Sequence, residues 1–496
     1  TGALTIMGSS SRAVAALACT GRVVNDALSL LVFSFLDLLD FVLCFVYRVA
    51  DFCIEARWLP CYCSSASKEA ITALHGGDVL VSEKGEPKVV RLVGSGRLQL
   101  EEISDTLYSR PSSFSEISWL SGRELPRLRA DADAVAVQRS DHEVTLGKES
   151  GGKAATFTVN STVIEVLQGK LSGGERPIPI PRWSDCDCST CSSWSLSPKE
   201  SLYVRVDAPR GKPREDVLFI HGFISNSQFW TETVFPELSE AVKSSYRLLA
   251  VDLLGFGRSP KPADSFYTLR EHLDFLENTV LKPHRVTSFH IVAHSLGCIL
   301  ALALAAKRPG SVKSLTLLSP PYFPLPEGEA ATPAQYVLRR IAPRRVWPPI
   351  AFAASVAGWY EHVSRTVCLL ICKNHRLWEF LTKLITLNRV RTFLCDGFCC
   401  HTHNAAWHTL HNIICGSAAK MEGYLEAVRG QRGCAVEVLH GADDDLIPEE
   451  CSHALGARVP RARVRVIRKR DHITIVVGRQ RAFARELEQI WRASSG

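Results

Sequence analysis

The sequence predicts an α/β protein: a mostly parallel central sheet flanked by helices, with an inserted helical cap, preceded by an apolar helix and a linker region. Three observations carry this reading. From about residue 200 onward, short runs rich in Val, Leu and Ile alternate with helical stretches. Roughly a hundred residues separate two of those runs, far beyond an ordinary strand-to-helix loop. Residues 27–46, ALSLLVFSFLDLLDFVLCFV, form a long apolar run near the start.

The bulk numbers set the limits. At about 150 residues per domain, 496 residues suggest roughly three domains. With 46% hydrophobic and 22% charged residues, the chain is neither disordered nor collagen-like. The net charge of +7 is spread thinly, with no basic stripe, so no nucleic-acid partner is expected. Seventeen cysteines are too sparse for a disulfide scaffold, and an odd number cannot pair completely. No repeat with a period of 20 to 50 residues occurs, which argues against a solenoid or propeller.

Met7 is the expected natural start, and residues 1–6 are set aside from fold reasoning. Gly8 follows it, but Arg12 stands where an N-myristoylation pattern wants Ser or Thr. In the apolar run, fourteen Leu, Val and Phe contribute roughly −6 kcal/mol to insertion, against roughly +5 to +7 for Asp37 and Asp40. Hydropathy therefore leaves spanning undecided. At helical spacing Asp37, Asp40, Cys44, Tyr47 and Asp51 share one stripe, which suits an acidic edge packed on protein or a helix lying in the interface. Arg12 and Arg22 resemble the basic start of a signal sequence, and no convincing cleavage site follows. An uncleaved membrane-associated helix is the favoured expectation; a cleaved signal and a buried soluble helix are the alternatives. The sequon Asn160-Ser161-Thr162 fits a secretory route to the cell periphery.

Residues 64–200 read mainly as loops and linkers, including the stretch 121–155 rich in Gly, Arg, Asp and Ala. Cys61, Cys63, Cys186, Cys188 and Cys191 invite comparison with a zinc site. Only Cys188 and Cys191 have the C-x₂-C spacing, and such sites need four ligands, so no metal is expected. Disulfides between the two clusters, lipidated cysteines near 53–63, or free thiols are the readings left open.

The strand expectations are VLFIHG (217–222), RLLAVD (247–252), FHIVAH (289–294), SLTLLS (314–319), VEVLHG (436–441) and ARVRVI (462–467). Motifs fall at their ends. Ala293-His294-Ser295-Leu296-Gly297 lies between a strand and the helical run ILALALAAKRPG, the pattern of a nucleophile elbow, with Ala293 replacing the usual first Gly. His221-Gly222-Phe223 follows an earlier strand, so the backbone N–H groups of Phe223 and Leu296 are the expected oxyanion donors. HGADDDLIP (440–448) supplies a carboxylate and Asp471-His472 an imidazole. The order Ser…Asp…His is that of α/β-hydrolases. The assignment is Ser295 as nucleophile, His472 as general base and then acid, and Asp444 as the group orienting the imidazole. Asp444 is chosen because resemblance to the α/β-hydrolase pattern G-x-x-D-x-x-x-P aligns it with Gly441 and Pro448; Asp443 and Asp445 are the alternatives.

HGFISNSQFWTETVFPELS, YRLLAVDLLGFGRSPKPADSFYTLREHL, VAHSLGCILALALA and RDHITIVVGRQRAFARELEQIW resemble the plant BODYGUARD-type α/β-hydrolases. The similarity extends to LPCYC, EEISDTLYSRPS and RWSDCDCSTCSSW, and so covers nearly the whole chain. The resemblance implies a role in cuticle (cutin) formation at the epidermal cell periphery and a lysophospholipase or acyl-ester activity.

The long insertion contains QYVLRRIAP, WEFLTKLITL and WHTLHNIICG, which read as a helical cap over Ser295. Such a cover suits an acyl-ester lipid or cutin-monomer substrate, because it buries apolar chain and excludes water. Within it His401, His403, His408 and His411 are expected to pack or hydrogen-bond, and Cys368 and Cys372 to face the core. No cofactor is expected. Two competing functions remain. The acyl-enzyme could pass its chain to a hydroxy acid, making the protein an acyltransferase, or the fold could serve a non-enzymatic receptor. The expected organisation is a membrane-directed helix (1–60), a Cys-containing extension (61–200), a hydrolase core in two parts (201–320 and 434–496) and the cap (321–433). The membrane surface is the expected partner.

Overall fold

The computed structural model describes residues 3–56, 78–83, 86–91, 102–108, 181–195, 201–388 and 391–494. Two compact units emerge, one made of Thr1–Leu43 with Ile178–Gly496 and the other of Cys44–Pro177. The sequon at Asn160, Cys61, Cys63 and the linker 121–155 lie outside the described residues. In the second unit, β1 (Asp78–Glu83) and β2 (Glu86–Arg91) pair as an antiparallel hairpin.

The first unit is built on a seven-stranded sheet ordered β3-β5-β4-β6-β7-β8-β9. These are β3 (Val204–Asp207), β4 (Glu215–Ile220), β5 (Tyr246–Val251), β6 (Phe289–His294), β7 (Val312–Leu318), β8 (Ala435–Gly441) and β9 (Arg463–Ile467). All neighbours are parallel except β3, which runs antiparallel to β5. β4 and β6 are buried at every residue, and their apolar runs Val217–Ile220 and Ile291–Ala293 do not alternate with polar positions because helices cover both faces of a parallel sheet. β3 was not among the expected strands. It is a four-residue edge strand, exposed at three positions, so it lacks the apolar run that marks the others.

One face of the sheet carries α3 (Leu296–Lys307), in which ten residues are buried, and Leu300 and Leu304 join the larger core cluster. The other face is closed by α11 (Gln480–Ser494), whose Phe483, Leu487 and Trp491 meet Phe219, Trp230 and Tyr246. Between β7 and β8 the cap folds as helices: α4 (Pro333–Ile341), α5 (Pro349–Trp359), α6 (Glu361–Ile371), α7 (His375–Ile385), α8 (Thr392–Cys399), α9 (His403–Thr409) and α10 (Met421–Gly430).

The apolar run lies within α1 (Ala3–Glu55). Within its stretch Val23–Glu55 an 18-residue window reaches mean hydropathy 2.2, and the stretch is long and apolar enough to cross a membrane. The acidic stripe faces protein. The Asp37 carboxylate accepts from Arg344 Nη2 at 3.0 and 3.1 Å and lies 2.8 Å from the Tyr360 hydroxyl. Asp40 Oδ1 accepts from the amides of His362 and Val363 at 2.8 and 3.0 Å, so one helix supplies the N-terminal cap of another, α6. Ser29 Oγ accepts from the Val346 amide at 3.1 Å, and buried Phe33 stacks on Tyr360. Leu31, Phe35, Leu38, Val42 and Phe45 form an exposed apolar stripe elsewhere around α1.

The segment before β3 also belongs to this unit. Its short helix α2 (Ser189–Ser195) and the preceding loop dock on the cap. Ser184 accepts from Arg365 Nε at 3.0 Å, and the Trp183 carbonyl accepts from Lys373 Nζ at 2.9 Å.

Candidate active site

Ser295 stands between β6 and α3 with φ 52° and ψ −121°, a strained conformation that L residues rarely adopt. The turn survives because its surroundings leave room for nothing larger. A Cβ on Gly297 would come within 2.7 Å of the His221 carbonyl and 2.8 Å of the Ile220 carbonyl, so the second small residue of the elbow lets α3 approach β4. Ala293 is fully buried in β6, where a methyl group is accommodated. Ser295 itself is 8% exposed.

Gly222 brings the loop after β4 against Ser295. A Cβ there would meet His294 Nδ1 at 2.9 Å and Ser295 Cβ at 3.2 Å. Phe223, the next residue, is thereby held beside the elbow, and its ring packs edge-on to Phe256. His221 braces this loop rather than reacting. Its Nδ1 lies 2.7 Å from the Gly222 carbonyl and its Nε2 accepts from the Leu253 amide at 2.9 Å, which assigns a neutral ring protonated on Nδ1. Burial lowers its pKa to the same effect. Asp252 ties the neighbouring loops together, accepting from the amides of Ser227 (2.6 Å) and Arg258 (2.8 Å).

Of the three consecutive aspartates, Asp444 alone is turned inward; Asp443 and Asp445 are exposed. Asp444 Oδ2 lies 2.7 Å from His472 Nδ1, and Oδ1 accepts from the amides of Leu446 and Ile447 at 3.0 and 2.9 Å. Burial acts to raise its pKa. The hydrogen bond and charge of His472, with the Ile447 amide, outweigh that and bring it to about 2. The loop holding His472 is shaped by Asp471, whose Oδ1 accepts from the Ile473 and Thr474 amides at 2.9 and 2.8 Å. Gly441 permits the acid and histidine loops to touch, since a Cβ there would fall 2.3 Å from the Arg470 carbonyl.

His294 links the two halves of the site. Its Nε2 lies 2.9 Å from the His472 carbonyl, and the two rings are 4.7 Å apart. Burial pushes its pKa down to about 3, so it donates as a neutral imidazole. Reasoning from motifs passed over His294 as an elbow spacer; its place beside the nucleophile was the available signal. The cap reaches the same loops. Phe256 bridges to His401, and Gly397 of α8 lies against the Ser225–Asn226 backbone.

Of the cap histidines, His401, His408 and His411 are buried and His403 is half-buried; His408 stacks on Phe266 and His411 packs against Trp407. His375 was not singled out in the sequence. The fold brings it to Cys186, Cys188 and Cys191, about 180 residues earlier in the chain, a distance no local spacing rule can span.

The profile of the alpha/beta hydrolase fold family matches residues 217–478. The chain is 54% identical to probable lysophospholipase BODYGUARD 3 of Arabidopsis thaliana, over 96% of this chain and 97% of that protein. The chain belongs to the BODYGUARD family of α/β hydrolases. It is 52% identical to the Arabidopsis protein BODYGUARD 1, again over 96% of this chain and 97% of the relative. Among solved structures, one from a study of carboxylesterases of Nitrososphaera gargenis aligns with TM-score 0.43 at 20% identity, covering 60% of this chain and 97% of that one.

Proposed function

We propose that this member of the BODYGUARD family hydrolyses acyl esters of lipid-like substrates through Ser295, His472 and Asp444. The observation that carries the reading is the 2.7 Å pairing of buried Asp444 with His472 beside a strained elbow that presents Ser295. Ser295 Oγ attacks the ester carbonyl while His472 takes its proton, and the amides of Phe223 and Leu296 receive the developing oxyanion. Collapse expels the alcohol, protonated by the imidazolium, and leaves an acyl-enzyme; water then repeats the sequence and releases the acid. Asp444, with its pKa near 2, stays ionised throughout and stabilises the imidazolium.

The lysophospholipase names of the relatives and the helical cover between β7 and β8 favour a long-chain acyl ester. A role in cutin formation, by hydrolysis or by transfer to a hydroxy acid, extends the same acyl-enzyme. The partner surface is a membrane, reached along the secretory route to the cell periphery. α1 lies on the cap from Ser29 to Asp40 and leaves Leu31, Phe35 and Leu38 exposed, so it rests in the interface with one face on protein and one in lipid.

A fluorophosphonate probe tests the central claim. Labelling of the native protein that disappears in Ser295→Ala is expected, and an unlabelled native protein would refute the active serine. Supplying a monoacylglycerol with a hydroxy fatty acid and measuring free acid against new ester separates hydrolysis from transfer.

A further inference from the structure

A second constellation lies away from Ser295, where α2 meets the cap. Cys186, Cys188, Cys191 and His375 place one donor atom each within 4.8 Å of one another. Cys186, Cys191 and His375 are buried and Cys188 is half-buried. The two ring nitrogens of His375 face different cysteines, and Nδ1 also lies 3.1 Å from the Cys372 carbonyl, which leaves Nε2 as the nitrogen free to bind a metal. His375 Nδ1 is 3.3 Å from Cys186 Sγ and 4.0 Å from Cys191 Sγ, and its Nε2 is 3.9 Å from Cys188 Sγ. A tetrahedral zinc ion with bonds of about 2.3 Å to sulfur and about 2.0 Å to nitrogen requires sulfur–nitrogen separations of about 3.5 Å. The Cys191 amide points at Cys188 Sγ at 3.5 Å, an N–H contact that suits a thiolate.

The surroundings fit the same reading. Among the described residues the local buried cluster consists of Cys186, Cys191 and Cys400, with Cys188 and Trp194 against it, and contains no aliphatic side chain. Lys261, itself buried, lines the cavity shared by Cys186, Cys191 and Cys400. Asp185, also buried, lines the same cavity, so the single net negative charge of a zinc ion with three thiolates and a neutral imidazole would meet one buried base and one buried acid.

We propose that Cys186, Cys188, Cys191 and His375 form a structural zinc site that clamps the segment preceding β3 onto the cap. On binding, Zn²⁺ displaces the three thiol protons to solvent, and His375 coordinates as a neutral ring. The site lies one layer from the catalytic loops: Gly257 donates to the Cys400 carbonyl, and Phe256 bridges to His401. The clamp thus fixes the cap relative to the loop that supports Phe223. The competing arrangement is a disulfide, for which Cys191 and Cys400, with sulfurs 3.7 Å apart, are the nearest candidates. An oxidising compartment would favour it.

The test uses the full chain in detergent, purified without chelator or added thiol. Elemental analysis should find zinc that both Cys188→Ser and His375→Ala lose, with affinity falling by more than the 10–100-fold typical of disturbing an outer partner. Replacement by cobalt(II) in the native chain should produce the visible bands of a tetrahedral thiolate site, a readout that does not depend on how the variants fold. Ser295→Ala should retain the metal. A native chain that takes up neither zinc nor cobalt overturns the proposal. So does recovery of Cys186, Cys188 or Cys191 in a disulfide by peptide mapping. Metal content unchanged in both variants would place the ion elsewhere, for example at Cys368, Cys372 and His401, and would equally refute this site.

Discussion

Asp444 and Asp40 are both buried carboxylates, with side chains 0% and 5% exposed, and the molecule uses them in opposite ways. Asp444 faces His472, a partner that can gain and lose a proton and is itself 12% exposed at the mouth of the site. Asp40 faces two backbone amides of α6 and, at 3.4 Å, the buried ring of His362, and its neighbour Asp37 faces the guanidinium of Arg344. In the proposed mechanism the desolvated negative charge of Asp444 supports a reaction, whereas that of Asp40 holds a junction. What separates them is where the imidazole stands: His472 is partly exposed on the loop tied to His294 beside Ser295, whereas His362 is buried in the junction with α1.

The comparison is broken most severely at the nucleophile. Ser295→Ala should lower kcat/KM on a long-chain ester by about 10⁴-fold or more while leaving the urea midpoint near that of the native chain. A smaller loss would mean that another group carries the chemistry. Asp444→Asn should cost about 10³- to 10⁴-fold in kcat, whereas Asp443→Asn and Asp445→Asn should have little effect. Equal losses in all three would show that the loop, rather than one carboxylate, matters.

At the junction the effect should move from rate to stability. Asp37→Ala leaves the guanidinium of Arg344, 3% exposed, without its carboxylate and should destabilise by about 3 kcal/mol. Asp40→Ala removes the cap of α6 and should cost about 1–2 kcal/mol. Both are read from the urea midpoint of the full chain in detergent. An unchanged midpoint with a large fall in kcat would erase the distinction between the two acids.

The gentlest effect is on pH. Burial lowers the pKa of His272 to about 4 and of His294 and His411 to about 3, and it also lowers His221, His290 and His440. In the unfolded chain these rings protonate near 6.5. Between that value and their folded pKa, unfolding takes up protons, so their contribution to stability is complete above about pH 6.5 and is lost as pH falls. Asp444 acts in the same direction but lower, between the ordinary carboxylate range and about 2. Urea midpoints should therefore already drop between about pH 7.5 and about pH 5.5. A flat profile over that interval would show that the rings protonate without unfolding.

Much of the catalytic face was legible in the sequence because its signals are local. β6 matches the expected run FHIVAH, and the small residues around Ser295 occur where a strand must turn sharply into a helix. The acidic stripe of α1 was legible as a stripe, since i, i+3 and i, i+4 spacing suffices to define a helix face. β3 was not, because an exposed edge strand needs no apolar pattern. His294 was hidden by its neighbour, and its tie to the His472 carbonyl crosses 178 positions.

By itself the sequence determined six of the seven strands of the large sheet, the strand–turn–helix pattern around Ser295, and an apolar helix with an acidic edge. These follow from backbone conformation and side-chain periodicity, which act over a few residues. Only the tertiary structure decided which of three adjacent aspartates turns inward, what Asp37 and Asp40 lean on, and that His375 meets three cysteines far upstream. Those choices depend on which buried polar groups find partners. A partner from a distant segment is selected by the packing of the whole chain, through the cost of leaving a charge or a hydrogen-bonding group unsatisfied.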